Sequence, residues 1–309
     1  MNQLKAVISK AKILLVIALI LLSGCRMNGE TQPNVSQEKV SDKNNSIRNI
    51  QLSHENEENK LENTRTERNL DSDYYKKVNE QSGEELKRVL HEIIKKQDVL
   101  SYNQTKHALK ETDEDPNNPN NLLLFYAGRS QSKQLFGSED DLWNREHVWS
   151  KSHGGFDTEK GPATDLHQLR PEDASVNADR GNLDFDLDNG HVNNPNAKCA
   201  GTEHDEAPDT CYDNDSWEPR DEIKGDIARI MFYMAIRYEG ESGERDLELV
   251  DRTGTQVPNH GKLSTLLKWH EQDPVDELER RRNNIIYEKY QHNRNPFIDH
   301  PEYVGRIWD

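Results

Sequence analysis

The aromatic residues of this 309-residue chain are unevenly distributed, and their distribution limits where a folded core can begin. The chain has 5 Trp, 10 Tyr and 6 Phe, and the first of them is Tyr74. Residues 26–73 are polar, mixed in charge and rich in Asn, Ser and Glu. Such a segment cannot bury enough apolar surface to offset the entropy of ordering it. We therefore predict a disordered polar tether over residues 25–75 and one folded domain over residues 76–309.

The first 24 residues have the pattern of an export signal. Three lysines precede an unbroken apolar run over residues 13–22, which is too short to cross a bilayer as a helix. Residues 22–25 (LSGC) resemble a bacterial lipobox, which implies cleavage before Cys25 and attachment of lipid to its sulfur. The alternative is an ordinary secretory signal in which Cys25 is incidental. Both interpretations predict an extracytoplasmic protein; the first anchors it to the outer face of the bacterial cell membrane, with later release left open.

The composition excludes two classes of protein. Only 32% of the residues are hydrophobic, which is too few for a polytopic membrane protein. The formal net charge is −17, and removal of the signal, which contains three lysines and no acid, makes it −20. A protein that holds nucleic acid by broad charge neutralisation carries a basic surface. Any recognition of phosphate by this chain must therefore be local.

The cysteines fit an exported protein. If Cys25 carries lipid, Cys199 and Cys211 are left as a pair, and in an oxidising compartment we predict that they form a disulfide. The alternative is a metal site that combines these thiols with His204 or His191. We prefer the disulfide, because the two cysteines lack the short Cys-x-x-Cys spacing of structural zinc sites.

Most of the remaining patterns predict helices and turns that support the fold and have no chemical role. Ser82 and Glu85 form a capping-box pattern in front of a helix with one apolar face, and residues 223–238 have the spacing of a buried helix. The acid-rich loop over residues 113–121 lacks the spacing of a calcium site and is predicted as a solvated turn. Residues 273–290, with three consecutive arginines at 280–282, are predicted as a solvated charged helix rather than a contact for nucleic acid.

Chemically useful side chains concentrate between residues 143 and 186. The composition predicts a strand over residues 143–149, a second strand over 165–169, and a helix that starts at Pro171 and stops at Gly181. In that helix Asp173, Asn177 and Arg180 share one face. Glu146 and His147 are neighbours in the first strand, so both can serve one site only if a bend or a bulge reorients one of them.

Three short motifs follow one another in this region: residues 144–149 (NREHVW), 165–171 (DLHQLRP) and 175–182 (SVNADRGN). Together they resemble the motifs of the bacterial endonuclease I family, extracellular or periplasmic nucleases of the His-Me finger (ββα-metal) class, and most of all the extracellular ribonucleases and deoxyribonucleases of Bacillus-type bacteria. The likeness extends from about Tyr102 to the C-terminus and includes residues 217–219, 224–226 and 293–302. The resemblance implies an α+β fold in which a His-Me finger core is embedded in a largely helical single domain.

The resemblance also implies a mechanism. His147 falls on the family's general base, and Glu146 and Asn177 fall on its divalent-metal ligands. A neutral imidazole can take a proton from water at neutral pH, and a carboxylate with an amide oxygen suits a hard cation. We expect Mg²⁺, or another divalent cation such as Mn²⁺ or Ca²⁺, and products that carry a 5′-phosphate and a 3′-hydroxyl.

Several further residues are expected to support this site. Asp165 and His167 alternate onto one face of the predicted second strand, where they can hold the site by hydrogen bonds. Relatives carry a second histidine where this chain has Gln168, so no chemical role is expected there. Arg180 and Arg145 are candidates for gripping the substrate phosphate, with ion pairs to neighbouring acids as the alternative.

We therefore predict a metal-dependent endonuclease that hydrolyses DNA and/or RNA with little sequence preference and acts as a monomer. Its other partner is the membrane, through the lipid on Cys25. The alternative is a non-catalytic surface lipoprotein that binds nucleic acid or another partner through a retained nuclease fold. The intact Glu146, His147 and Asn177 favour the enzyme.

Overall fold

The computed structural model describes residues 73–187, 198–199 and 206–308, and for residues 198–199 and Ser242 it describes the backbone alone. The predictions about the export signal, Cys25, His191 and His204, and the disordered tether up to residue 72, lie outside the described residues and stay predictions. Within the described part of the chain, no helix is both long and apolar enough to cross a membrane.

The folded domain begins before the predicted boundary at residue 76. Tyr75 is buried, and its hydroxyl donates to Asp299 Oδ2 over 2.7 Å. The neighbouring Tyr74 packs against the same apolar core. The two tyrosines therefore belong to the domain and not to the tether, because their rings contact the C-terminal part of the chain.

Two helices open the domain. Helix α1 (Gly83–Ile94) starts where the sequence predicts, with Ser82 at its N-cap, but the Ser82 side chain makes no capping hydrogen bond. Helix α2 (Tyr102–Thr112) was not predicted, and it is the one with a complete capping box, formed by Ser101 and Gln104. A short antiparallel pair follows, made by β1 (Asn121–Leu123) and β2 (Ser130–Ser132).

A hairpin and a helix form the centre of the molecule. Strands β3 (Trp143–His147) and β4 (Leu169–Asp173) pair antiparallel, and the connection between them contains a short helix, α3 (Lys151–Gly154). Helix α4 (Ala174–Arg180) follows β4 directly and packs against both strands. The order strand, strand, helix is the predicted one.

A four-stranded sheet lies next along the chain, in the order β5-β8-β7-β6. Its strands are β5 (Asp184–Phe185), β6 (Lys198–Cys199), β7 (Cys211–Tyr212) and β8 (Ser216–Glu218). Cys211 is disulfide-bonded, and Cys199 is opposite it in the register of β6 and β7. This register supports the predicted Cys199–Cys211 bond, which remains a proposal.

The C-terminal part is largely helical. Helix α5 (Lys224–Arg237) is buried along its whole length, as residues 223–238 predict, and packs against α1 and against α6 (Leu263–Gln272). Between them β9 (Glu248–Leu249) pairs parallel with β10 (Asn259–His260). Helix α7 (Glu277–Ile285) continues into a π-helix (Ile286–Tyr290), and α8 (Pro296–Asp299) and α9 (Tyr303–Trp308) follow.

Candidate active site

A polar cleft of about 400 Å³ lies against the hairpin and helix α4. Four of the predicted site residues line it: Arg145, Glu146, His147 and Asn177. The full lining is Tyr102, Ser138, Asn144, Arg145, Glu146, His147, Ser150, Lys151, Ala174, Asn177, Ala178 and Gly181. The cleft is therefore formed by residues from α2, β3 and α4 and from the connections beside them.

Glu146 and His147 line the same cleft although they are neighbours in β3. The pairing of β3 with β4 is regular from Trp143 to His147, so the bulge considered from the sequence is absent there. His147 is the last residue of the strand, and the chain bends directly after it at residues 148–149. Both residues precede this bend, so within β3 neither a bend nor a bulge reorients one of the two side chains.

Glu146 is buried beside one cation and one hydroxyl. The Tyr126 hydroxyl donates to Glu146 Oε1 over 2.8 Å, and Arg180 Nη1 lies 3.5 Å from the same oxygen. Burial raises the pKa of Glu146, while Arg180 and then Tyr126 oppose the increase. These two partners therefore favour the ionised form that a cation requires.

His147 is held in one tautomer by a backbone carbonyl. Its Nε2 lies 3.0 Å from the Ala163 oxygen, and since a carbonyl can only accept, Nε2 carries the proton. Burial lowers the pKa of His147 to about 3, so the ring is neutral at neutral pH and its Nδ1 has a free lone pair. The Tyr102 ring is stacked over it with 6.2 Å between centroids.

The amide oxygen of Asn177 remains available as an acceptor, because its amide nitrogen is fully used. Its Nδ2 donates to Asn144 Oδ1 over 2.6 Å and to the Arg145 carbonyl over 3.2 Å. Both hydrogens of the amide nitrogen are then used, and Oδ1 remains as an acceptor. A carboxylate and an amide oxygen in one cleft are a donor set that fits a hard divalent cation.

Arg145 is a cation without an acidic partner among the described residues. Its guanidinium lies 3.6 Å from the centre of the Tyr102 ring, and Nη1 donates to the Tyr102 carbonyl over 2.8 Å. The ion pair that the sequence offered as an alternative is not formed within that part of the chain. Arg145 therefore brings an uncompensated positive charge to the cleft, although the chain as a whole has a negative net charge.

Arg180 requires a correction, because it does not line the cleft. Its side chain is fully buried and donates to the carbonyls of His147 and Val148 over 3.2 and 2.6 Å. Its one acidic neighbour among the described residues is Glu146. A guanidinium in this position contacts the back of the site and cannot touch a phosphate in the cleft.

Asp165 and His167 also require a correction. Residues 165–168 form a turn rather than a strand, and neither side chain lines the cleft. Asp165 accepts hydrogen bonds from the hydroxyls of Tyr233 and Tyr238, each over 2.9 Å, and His167 Nε2 lies 3.2 Å from the Asn293 carbonyl. Both residues join the hairpin to the C-terminal helices instead of supporting Glu146 and His147.

Several residues that shape the site could not be predicted from the motifs. Tyr126 contacts Glu146 and Tyr102 covers His147, but both come from segments far from the motifs along the chain. A third unpredicted feature is the buried cluster of His153, Asp184 and His260 behind the cleft. Only contacts between distant segments create these neighbours, so spacing in the sequence cannot reveal them.

A strand–strand–helix unit with a Glu-His pair on its first strand and an asparagine on its helix defines a nuclease of the His-Me finger class. The Endonuclease I family model matches residues 82–302, and the chain belongs to the endonuclease I family.

Individual relatives agree with this assignment. The chain is 58% identical over 236 residues to the extracellular ribonuclease of Bacillus subtilis (strain 168), which covers 76% of this chain and 78% of that protein. The same figures hold for the extracellular ribonuclease of Bacillus amyloliquefaciens. Endonuclease-1 of Buchnera aphidicola subsp. Baizongia pistaciae (strain Bp) is 28% identical over 136 residues, or 44% of this chain and 46% of that protein.

Family membership confirms that the chain is an enzyme, a nuclease, and that its fold is of the predicted α+β class. It therefore favours the enzyme over the non-catalytic lipoprotein. Because both Bacillus relatives are named as extracellular, an extracytoplasmic location is supported as well.

Proposed function

We propose that the chain is a divalent-metal-dependent endonuclease in which His147 is the general base and Glu146 and Asn177 hold one cation. The observation that carries this proposal is the hydrogen bond from His147 Nε2 to the Ala163 carbonyl. It keeps the proton on Nε2 and leaves Nδ1 free to accept a proton from the attacking water. The products would carry a 5′-phosphate and a 3′-hydroxyl.

The cation has a defined task in this proposal. Bound between Glu146 and Asn177, it would stabilise negative charge on the phosphate and on the departing 3′ oxygen. Two protein ligands suit Mg²⁺, which keeps several of its waters, and Mn²⁺ and Ca²⁺ prefer the same oxygen atoms. Arg180 and Tyr126 help by holding the Glu146 carboxylate ionised before the cation binds.

The substrate is proposed to be RNA and DNA with little preference for sequence. The two Bacillus relatives are named ribonucleases, so RNA is the first polymer to test. An attack by water that His147 activates needs no 2′-hydroxyl, however, and DNA fits the same chemistry. We further propose a monomer that a lipid on Cys25 attaches to the outer face of the cell membrane.

Removal of divalent metal is the experiment that tests the proposed function. We expect the purified enzyme to cleave both RNA and DNA with Mg²⁺, to lose this activity in EDTA, and to regain it when Mg²⁺ is added in excess. The 5′ ends should accept a new phosphate only after phosphatase treatment. Cleavage that persists unchanged in EDTA, or products with 3′-phosphates, would rule out the proposed mechanism.

Arg145 is proposed to contact the substrate phosphate. Arg145 lines the cleft, and its guanidinium has no acidic partner among the described residues. We expect Arg145→Gln to raise KM by about tenfold or more, because a hydrogen bond to a charged group contributes about 1.5–3 kcal/mol. Steady-state cleavage of a short labelled RNA at saturating Mg²⁺ measures this change.

Arg280→Gln is the matched control for Arg145. It removes the same charge from an exposed position on α7, outside the residues that line the cleft. An equal rise in KM for both variants would show that Arg145 acts only through the net charge of the protein.

A further inference from the structure

A cluster of buried polar side chains lies behind the cleft. His153, Asp184 and His260 are 4%, 1% and 0% exposed, and one potential ligand atom from each lies within 4.8 Å of the others. This spacing alone would allow a metal ion. The contacts that Arg180 makes with the cluster distinguish a metal site from a chain of hydrogen bonds.

The contact between Arg180 and His260 fixes the tautomer of the histidine. Arg180 Nη2 lies 3.3 Å from His260 Nε2, and a guanidinium can only donate, so Nε2 accepts. The neutral ring then carries its proton on Nδ1, which lies 2.9 Å from Asp184 Oδ1. The Gly261 backbone nitrogen lies 3.1 Å from Nδ1 but only 2.7 Å from Asp184 Oδ1, so its N–H donates to the carboxylate. A metal on Nδ1 would require the proton to be on Nε2. The Nε2 proton and the Arg180 Nη2 proton would then face each other with no acceptor between them. The geometry therefore favours hydrogen bonds over a metal.

Asp184 is held firmly at the far end of this chain of hydrogen bonds. Its Oδ1 accepts from the Thr255 hydroxyl and from the Gly261 backbone, each over 2.7 Å. Its Oδ2 accepts from the Thr255 backbone over 2.7 Å. With three donors besides His260, the carboxylate has little freedom to rotate, so it fixes the orientation of the imidazole ring.

Arg180 stands at the near end, against the active site. Its other acceptors, the carbonyls of His147 and Val148, are neutral, and Glu146 is its one ion-pair partner among the described residues. The Glu146 carboxylate, 2% exposed, therefore depends on this guanidinium for its balancing charge. Any movement of the guanidinium would weaken that balance.

We propose that His260 is a positioning residue of the nuclease site. Oriented by Asp184, it holds the guanidinium of Arg180 beside Glu146 and so fixes the position of the Glu146 carboxylate for the cation. This inference rests on the proposed role of Glu146 as a metal ligand. It extends the site to β5 and β10, two strands that contribute nothing to the lining of the cleft.

A pair of matched variants tests the proposal. His260→Phe keeps an aromatic ring but removes the acceptor for Arg180. His153→Phe makes the same change at a ring that lies 3.2 Å from the Thr255 hydroxyl and 3.6 Å from Asp184 Oδ1 but makes no hydrogen bond with Arg180. Loss of a residue that supports a metal ligand costs about 10–100-fold in metal affinity. We expect His260→Phe to raise the Mg²⁺ concentration for half-maximal cleavage about tenfold or more, and His153→Phe to raise it less than about twofold.

The outcomes separate this inference from the proposed function. A wild-type enzyme that needs no divalent cation overturns both. A metal-dependent wild type in which the two phenylalanine variants shift equally, or in which His260→Phe does not shift, overturns the role of His260 alone. Both variants are compared with the wild type by circular dichroism, so that loss of folding is recognised.

A measurement on the unaltered protein decides the question if His260→Phe does not fold. The ¹⁵N chemical shifts of the imidazole nitrogens report which of them carries the proton. A neutral His260 protonated on Nδ1 supports the proposal, and protonation on Nε2 overturns it. Stoichiometric zinc in the purified wild type that is lost from His153→Phe would also overturn it, because the cluster would then be a metal site.

Discussion

Replacement of His147 with alanine is expected to lower kcat about 10²- to 10⁴-fold, the contribution that a positioned general base makes to a proton transfer. The variant keeps Glu146 and Asn177, so the cation should still bind. Only the group that removes a proton from water is lost. Single-turnover cleavage of labelled RNA and DNA at saturating Mg²⁺ measures the effect on the chemical step.

Two comparisons separate a lost base from a damaged site. His107→Ala changes an exposed histidine on α2, outside the cleft lining, and should leave kcat unaltered. In His147→Ala itself, the Mg²⁺ concentration for half-maximal activity should stay within about twofold of the wild-type value, because a tenfold change would require about 1.4 kcal/mol of altered metal binding. A His147→Ala variant with wild-type kcat would remove His147 from the mechanism.

The motifs were sufficient to predict that Glu146, His147 and Asn177 lie together, because these residues are close in sequence. Glu146, His147 and Asn177 belong to one strand–strand–helix unit, and all three line the cleft. The expected bend or bulge that would reorient one of Glu146 and His147 is not found within β3, whose pairing is regular through His147; the chain bends only afterwards, at residues 148–149. Local periodicity placed the three residues in one unit without help from the rest of the fold.

The boundary between the second strand and its helix was predicted wrongly. Pro171 was assigned to the first turn of the helix, but it lies in β4 opposite Arg145. The Asp173 side chain accepts from the Ser175 backbone over 2.9 Å and so caps the helix. Glu172, also inside β4, accepts from the backbone of Tyr126. A contact from a distant segment thus outweighed the local preference of proline.

The predicted roles of Asp165, His167 and Arg180 failed for a related reason. Each was placed near the site by local periodicity, yet each side chain also makes a contact with a segment that is remote in sequence. Asp165 accepts hydrogen bonds from Tyr233 in helix α5 and from Tyr238 directly after that helix. Arg180 contacts His260 on β10. Contacts over 68 to 80 residues leave no periodic pattern in the sequence.

The charged segment over residues 273–290 was also predicted wrongly because its contacts are with a distant segment. It was predicted to be solvated, but Arg282 is buried and its Nε lies 3.1 Å from Asp113 Oδ1. Asp113 was likewise assigned to a solvated turn. Oppositely charged residues from two separate segments bury each other, and neither segment alone reveals its partner.

The second prediction with a large expected effect concerns the buried residue Glu279 and the stability of the fold. It is 4% exposed and forms a bidentate ion pair with the fully buried Arg229, over 2.7 and 2.6 Å. Removal of one partner of a buried pair leaves an uncompensated charge and costs about 3–5 kcal/mol. We expect Glu279→Ala to lower the free energy of unfolding by about 3 kcal/mol, the lower end of that range, because Asp226 Oδ1 remains 3.6 Å from Arg229. Urea denaturation followed by circular dichroism measures the loss.

The size of this effect should depend on the charge left behind and not on the carboxylate removed. Glu277→Ala deletes the same side chain from an exposed position in the first turn of the same helix, and it should cost less than about 0.5 kcal/mol. The double variant Arg229→Met with Glu279→Leu should be more stable than Glu279→Ala, because apolar side chains of similar size replace a buried pair at little cost. A double variant less stable than the single one would mean that Arg229 stabilises the fold mainly through its bond to the Asp273 carbonyl, and that the ion pair contributes little.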